Sequence, residues 1–234
     1  MNWKEIEVSA DQTGFEYKGS PLFGRSFTEV LKFHEPGIAP VKDETGAFHI
    51  DSDGSEIYLV RYDRTFGFYC RRAAVVTQNR WFHIDENGRD AYSHRFGWTG
   101  NYQENVCTVR DESGHYFHID KDGNRCYDLN FLYAGDFKDG IACVKDTDGF
   151  FRHIFKDGSG VHTCQYLDLG VFHKGFATAK DDKGWCHIDR KGRPIYSQRY
   201  HGIEPFYNGY ALVTKLDGRK AILSESGNEV LDIG

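Results

Sequence analysis

Along most of this chain apolar and polar residues alternate in short runs, and each run stops at a Gly, Asn or Asp. In Phe48-His49-Ile50-Asp51 the alternation sends Phe48 and Ile50 to one face and His49 and Asp51 to the other, as in a half-buried strand. Asp-Gly or Asn-Gly follows at 53–54, 87–88 and 122–123, a dipeptide that closes tight hairpins because both residues accept a left-handed backbone. No apolar stripe of helical period runs far. Residues 25–34 come nearest, yet they align with strands in neighbouring repeats. The pattern predicts an all-β chain of many short strands.

These runs recur at a fixed interval. Phe-His-Ile-Asp stands at 48–51, 82–85 and 117–120, followed by Gly54, Gly88 and Gly123. Arg152-His153-Ile154-Phe155 with Gly158 and Cys186-His187-Ile188-Asp189 with Gly192 are variants. Lys220-Ala221-Ile222-Leu223 with Gly227 is a degenerate last copy; with Ala221 in the histidine column, successive positions lie 34, 35, 35, 34 and 34 residues apart. Three other columns keep the same phase. One is a strand of small residues, from Ile38-Ala39 and Ala73-Ala74 to Tyr210-Ala211; another is an aromatic at 58, 92, 127 and 196, with His162 in that place in the fourth copy. The third is a pair of aromatics six apart, such as Tyr62/Phe68 and Phe131/Phe137. Gly14-Phe15 through Phe23 fits the same frame, so a worn unit opens the chain, while the last unit stops short at Gly234.

A three- or four-stranded sheet of this size cannot bury both faces alone, so neighbouring units must stack on it. Radial stacking also protects strand edges, and the expected architecture is one β-propeller domain over residues 1–234. Seven blades are favoured, six plus an N-terminal extra are the other count, and a linear β-solenoid is the competing fold.

Composition then narrows the chemistry. With 35 acidic and 29 basic residues the net charge is -6, the wrong sign for a protein whose affinity comes from phosphate contacts, so no nucleic-acid partner is expected. No stretch approaches the roughly 20 apolar residues that cross a bilayer, so no membrane partner is expected. The opening MNWKEIEV has no charged segment leading into an apolar run, which speaks against a secretory signal. Six cysteines lack any C-x-x-C pairing, and several stand where other copies have Ala, Val or Ile. They read as reduced core residues of a cytoplasmic protein.

The columns resemble the WG (KWG) repeat family, whose unit runs roughly F-x-x-G-[LI]-A-x-V and then G-[WYF]-x-x-I-D-x-x-G. Here these are Phe137 to Val144 (FKDGIACV) and Gly184 to Gly192 (GWCHIDRKG). The resemblance spans about residues 14–231. It implies a bacterial, β-propeller-like repeat protein and names no activity. Family members usually carry an aromatic where this chain repeats His, and that departure directs attention to the histidines.

His49, His83, His118, His153 and His187 occupy one repeated position. In a propeller, equivalent positions lie on a circle about the axis. If this one faces inward, the imidazoles converge into a transition-metal site for Fe, Co, Cu, Ni or Zn with open coordination positions. On that reading the protein is a metal-dependent oxidoreductase acting on a small organic molecule, and Asp51, Asp85, Asp120 and Asp189 orient the ligands. His162 and His173, where single copies depart from their siblings, become candidate proton shuttles. The other reading makes each His a structural lock that hydrogen-bonds a neighbouring blade, in a non-catalytic propeller that binds a protein or a glycan. The Asp-x-Asp-Gly segments at 51–54 and 120–123 are too short for calcium loops and fit hairpin turns. G-x-S-x-G, P-loop and G-x-G-x-x-G motifs are missing, which removes support for nucleophilic hydrolase, NTPase and dinucleotide chemistry.

Overall fold

A computed structural model describes residues 1–234. The chain forms seven antiparallel sheets in sequence order, one per repeat. The first sheet comprises Ile6–Val8, Phe15–Tyr17 and Ser20–Pro21, and the second Glu29–Val30, Ile38–Asp43 and Gly46–Asp51. The third holds Arg64–Tyr69, Arg72–Thr77 and Arg80–Ile84; the fourth holds Trp98–Thr99, Cys107–Arg110 and Tyr116–Ile119. Tyr133–Ala134, Ile141–Lys145 and Phe151–Phe155 make the fifth, and Asp168–Leu169, Ala177–Asp181 and Gly184–Ile188 the sixth. The seventh has four strands, Gly202–Ile203, Tyr210–Thr214, Lys220–Ser224 and Glu229–Asp232. A 3-10 turn at Trp3–Glu5 is the only helical element, and the helical candidate at 25–34 contains the strand Glu29–Val30.

Seven is therefore the unit count, with the worn N-terminal segment forming a sheet of its own. The chain divides into two compact units, Met1–Arg125 with the first four sheets and Cys126–Gly234 with the last three. Each sheet is a local meander, which excludes a β-solenoid of parallel coils.

Alternation decides which side chains enter the core. Within the third strand of a sheet, Phe48 and Ile50, or Phe82 and Ile84, are buried, and so is the small residue paired with the Ile, Ala39 or Ala73. A small residue is needed there because aromatics from the next segment fill the space above it. Those aromatics repeat one geometry. Tyr58–Tyr62, Tyr92–Phe96, Tyr127–Phe131 and Tyr196–Tyr200 meet edge to face with ring centroids 5.9–6.0 Å apart, the arrangement ring quadrupoles prefer.

Pairing also corrects two positions of the alignment. Leu212 faces Ile222 as Thr178 faces His187, so Ile222 rather than Ala221 takes the histidine place in the seventh sheet. Ala73, opposite Ile84, takes the place filled by Ala39 in the second sheet. Both slips arise because buried positions, and not residue similarity, set the register: Leu223 is the fully buried equivalent of Ile188, four residues before its glycine.

Candidate functional site

The histidine column lies on the third strand of the second to sixth sheets, opposite Pro40, Ala74, Thr108, Cys143 and Thr178. All five rings are fully buried. Polar rings so placed need partners for both nitrogens. His83 shows how they are met. Its Nε2 lies 3.0 Å from the carbonyl oxygen of Gly100, which follows the first strand of the next sheet, and its Nδ1 lies 2.5 Å from the Tyr92 hydroxyl. A carbonyl only accepts, so Nε2 carries the proton and donates it; Nδ1 then accepts from the phenol. The same pair of contacts joins His49 to the Phe66 carbonyl at 2.9 Å and to Tyr58, and His187 to the Glu204 carbonyl at 2.9 Å and Tyr196 at 2.7 Å. Burial lowers His49, His83, His153 and His187 to about 4, against the carbonyl bond that raises each. Burial likewise raises the Tyr58 and Tyr92 phenols. At neutral pH each contact therefore joins a neutral imidazole to a neutral phenol.

The partner tyrosine has a second seat. Its ring lies against the turn glycine of the following sheet, where a Cβ on Gly123 would stand 2.5 Å from Tyr92 Cγ and one on Gly227 2.7 Å from Tyr196 Cβ. Gly88 receives Tyr58, Gly158 receives Tyr127 and Gly54 receives Phe23 in the same way. The glycine is required twice over, since φ at Gly123 is +80°. His, Tyr and Gly thus form a latch that fastens one sheet to the next.

The expected ring of ligands is not assembled. His49, His83, His118, His153 and His187 stand one per sheet, and no group of three or more His, Cys, Asp or Glu side chains comes together to hold a metal ion. The reason is local at His49, His83 and His187: the Nδ1 lone pair a metal would use accepts the tyrosine proton, and Nε2–H is held by a carbonyl. Asp51, Asp85, Asp120 and Asp189 do not orient the imidazoles either. One carboxylate oxygen of each accepts two turn amides, from Asp53 and Ser55, Asn87 and Arg89, Asp122 and Asn124, and Lys191 and Arg193, at 2.9–3.0 Å. Strand alternation gave these residues the right face, but the hairpin amides lie closer.

Of the two candidate shuttles, the structure brings His162 to the column and leaves His173 apart. His162 fills the tyrosine place in the latch of the fifth sheet: its Nε2 is 3.0 Å from His153 Nδ1, and its ring rests on Gly192. His173 sits in the turn 173–176, where its amide donates to the Phe176 carbonyl at 2.8 Å. The free cysteines Cys107, Cys143 and Cys186 are buried, and burial pushes the Cys143 thiol up to about 12 and Cys186 to about 11, away from nucleophilic character.

A second repeated arrangement, not singled out from the sequence, faces solvent. Cross-strand rows place a cation between aromatics: Trp98, Arg110 and Tyr116 in the fourth sheet, and Tyr133, Lys145 and Phe151 in the fifth. The Trp98 and Tyr116 rings lie 6.2 Å apart and Arg110 stands 5.8 Å over Tyr116; Tyr133 and Phe151 are 6.4 Å apart with Lys145 5.2 Å over Phe151. In the third sheet Phe66 stacks on Trp81 at 5.3 Å beneath Arg64, and in the sixth Lys180 lies over Trp185. The tryptophans of these rows, Trp81, Trp98 and Trp185, are only partly buried.

The family model for the WG containing repeat matches residues 188–218. No curated protein matches the chain. Among solved structures, a eukaryotic initiation factor superposes with a TM-score of 0.59 at 11% identity, covering 98% of this chain and 72% of that one. BamB from Moraxella catarrhalis gives 0.49 at 14% identity, with 99% and 85% covered. Hsv2p from Kluyveromyces lactis gives 0.49 at 8%, with 94% and 89% covered. The fold is a β-propeller of seven sheets.

Proposed function

We propose that the chain, whose residues 188–218 match the WG containing repeat, is a non-catalytic binding module whose ligand is another protein. One observation carries the reading. The residues that repeat with reactive chemistry, the histidines, are spent on fastening sheets, whereas the rows that repeat on the surface are of the type that binds proteins. Trp, Tyr and Arg are enriched at the centres of protein interfaces, because each offers a large area at low entropic cost plus a polar handle. Tyr133 within its row is 47% exposed, and exposed aliphatic residues adjoin the rows in sequence: Leu132 at 46% and Leu167 at 48%.

The test is affinity capture with the intact chain beside a Trp98→Ala/Tyr133→Ala/Trp185→Ala variant whose fold is checked by circular dichroism. A defined protein ligand should bind the wild type and lose at least tenfold in affinity for the variant. Equal binding by both removes these rows as the interface. Retention on an immobilised glycan instead assigns the rows to carbohydrate stacking. Elemental analysis of protein purified without chelator tests the metalloenzyme reading separately: one equivalent of a transition metal that disappears in a folded His83→Gln/His187→Gln variant would restore it.

A further inference from the structure

The latch at the fifth sheet has a donor problem that its siblings do not have. His153 Nε2 lies 2.8 Å from the Gly170 carbonyl oxygen, and His162 Nδ1 lies 3.1 Å from the Cys164 carbonyl oxygen. Carbonyls accept only, so both of these outer nitrogens must carry hydrogen. A neutral imidazole has one N–H, which leaves the inner nitrogens, His153 Nδ1 and His162 Nε2, as two lone pairs facing each other at 3.0 Å. Two neutral rings can make any two of the three contacts as full hydrogen bonds and never all three. One additional proton satisfies every contact at once. In the latches of His49, His83 and His187 the tyrosine hydroxyl supplies that hydrogen without a charge.

We propose that His153 and His162 form a proton-binding site, in which a third proton, carried on His162 Nε2 and accepted by His153 Nδ1, completes the junction of the fifth and sixth sheets and makes it the pH-sensitive latch of the molecule. His162 is the ring that bears the charge, because it is half-buried while His153 is fully enclosed. The groups around the pair fit this assignment. Asp189, at the end of the adjoining strand of the sixth sheet and itself paired with Arg193 at 2.9 Å, favours a cation on His162, while Arg152 shares the pocket that holds the ring. Beside His153, Cys143 on the paired strand stays a neutral thiol, the Phe172 ring lies 4.3 Å away, and Arg152 is neutralised by Asp146 at 2.9 Å. Burial lowers His162 below its ordinary value, so proton uptake falls on the acidic side of it, yet ahead of the tyrosine-latched rings at about 4.

Long-range proton–nitrogen NMR of the 15N-labelled chain, titrated from neutral pH downward, reads the state of each ring nitrogen directly. The expected result is that, among the latch rings, His162 alone gains a second N–H as the pH falls below the ordinary imidazole value, while His83 and His187 keep the neutral Nε2–H form. That signal should vanish in His162→Tyr, which restores the sibling latch, and persist in His173→Gln, which controls for histidines outside the latches. A His162 ring that stays neutral throughout this range in a folded chain overturns the proposal, as does a signal unchanged by His162→Tyr. A wild-type chain that unfolds before His162 gains its second N–H overturns it too.

Discussion

The latch of the third sheet and the latch of the fifth are built on the same backbone and closed by different chemistry. In the first unit, His83 donates to Gly100, accepts from Tyr92, and Tyr92 rests on Gly123. In the second, His153 donates to Gly170, faces His162, and His162 rests on Gly192. The shape is kept, since both rings fill the seat above a glycine. The proton count is not kept, since a phenol can donate while remaining neutral and an imidazole whose other nitrogen faces a carbonyl cannot. One substitution therefore changes a latch's response to pH without changing its geometry.

Acid is the strongest way to act on both. The buried histidines have folded values depressed to about 4, below their unfolded ones, so the unfolded chain binds protons that the folded chain refuses. Stability is fully present above about pH 6.5 and falls as pH drops toward 4, by roughly 1.4 kcal/mol per histidine for each unit of depression. Denaturant midpoints measured at pH 7 and 4.5 should differ by several kcal/mol in free energy; equal midpoints would show that the rings are not buried neutral.

Next in size is the glycine seat. Gly123→Val and Gly192→Val each place a branched Cβ against a ring at a position of positive φ, and each should cost roughly 3 kcal/mol. Equal losses in the two variants would confirm that sterics are common to both latches, and a loss confined to Gly123 would break the comparison. Tyr92→Phe keeps the ring and removes the donor, leaving His83 Nδ1 unsatisfied, and should cost about 1–2 kcal/mol at neutral pH. The smallest effect runs the other way. His162→Tyr supplies the missing neutral donor, and thermal denaturation at pH 7.5 should show a gain of about 1 kcal/mol.

Much of this architecture was legible from residues alone. Alternation in Phe48-His49-Ile50-Asp51 and the phase of four columns predict a propeller of small stacked sheets, seven favoured over six, because a period-2 strand with a glycine turn has few other ways to bury its apolar face. The partners of the histidines were less accessible, although a signal for them exists. Each column histidine precedes the aromatic column by nine residues, at 49/58, 83/92, 153/162 and 187/196, and a fixed spacing between two polar-capable columns points to a bond between them. The carbonyl partners leave little trace in side-chain identity: Phe66, Gly100, Gly170 and Glu204 each follow their histidine by 17 residues, but they bond through the backbone, which any residue supplies. Sequence left a converging ring and a sheet-to-sheet lock both open for the repeated His, because repeat position fixes which strand a residue occupies and leaves open whether its nitrogens are already engaged.

The aromatic-on-glycine seat also governs how such a chain can change in length. From Phe23 to Gly54, and through every later pair to Tyr196 and Gly227, ring and seat are separated by 30 or 31 residues. A short insertion between them shifts the ring off its seat and, within the strand, turns the buried face outward. Duplication or loss of a whole period leaves every remaining ring opposite a glycine. Growth and shrinkage are thereby channelled into entire modules, and the lineage of such a molecule is written in its number of sheets more than in the length of its loops.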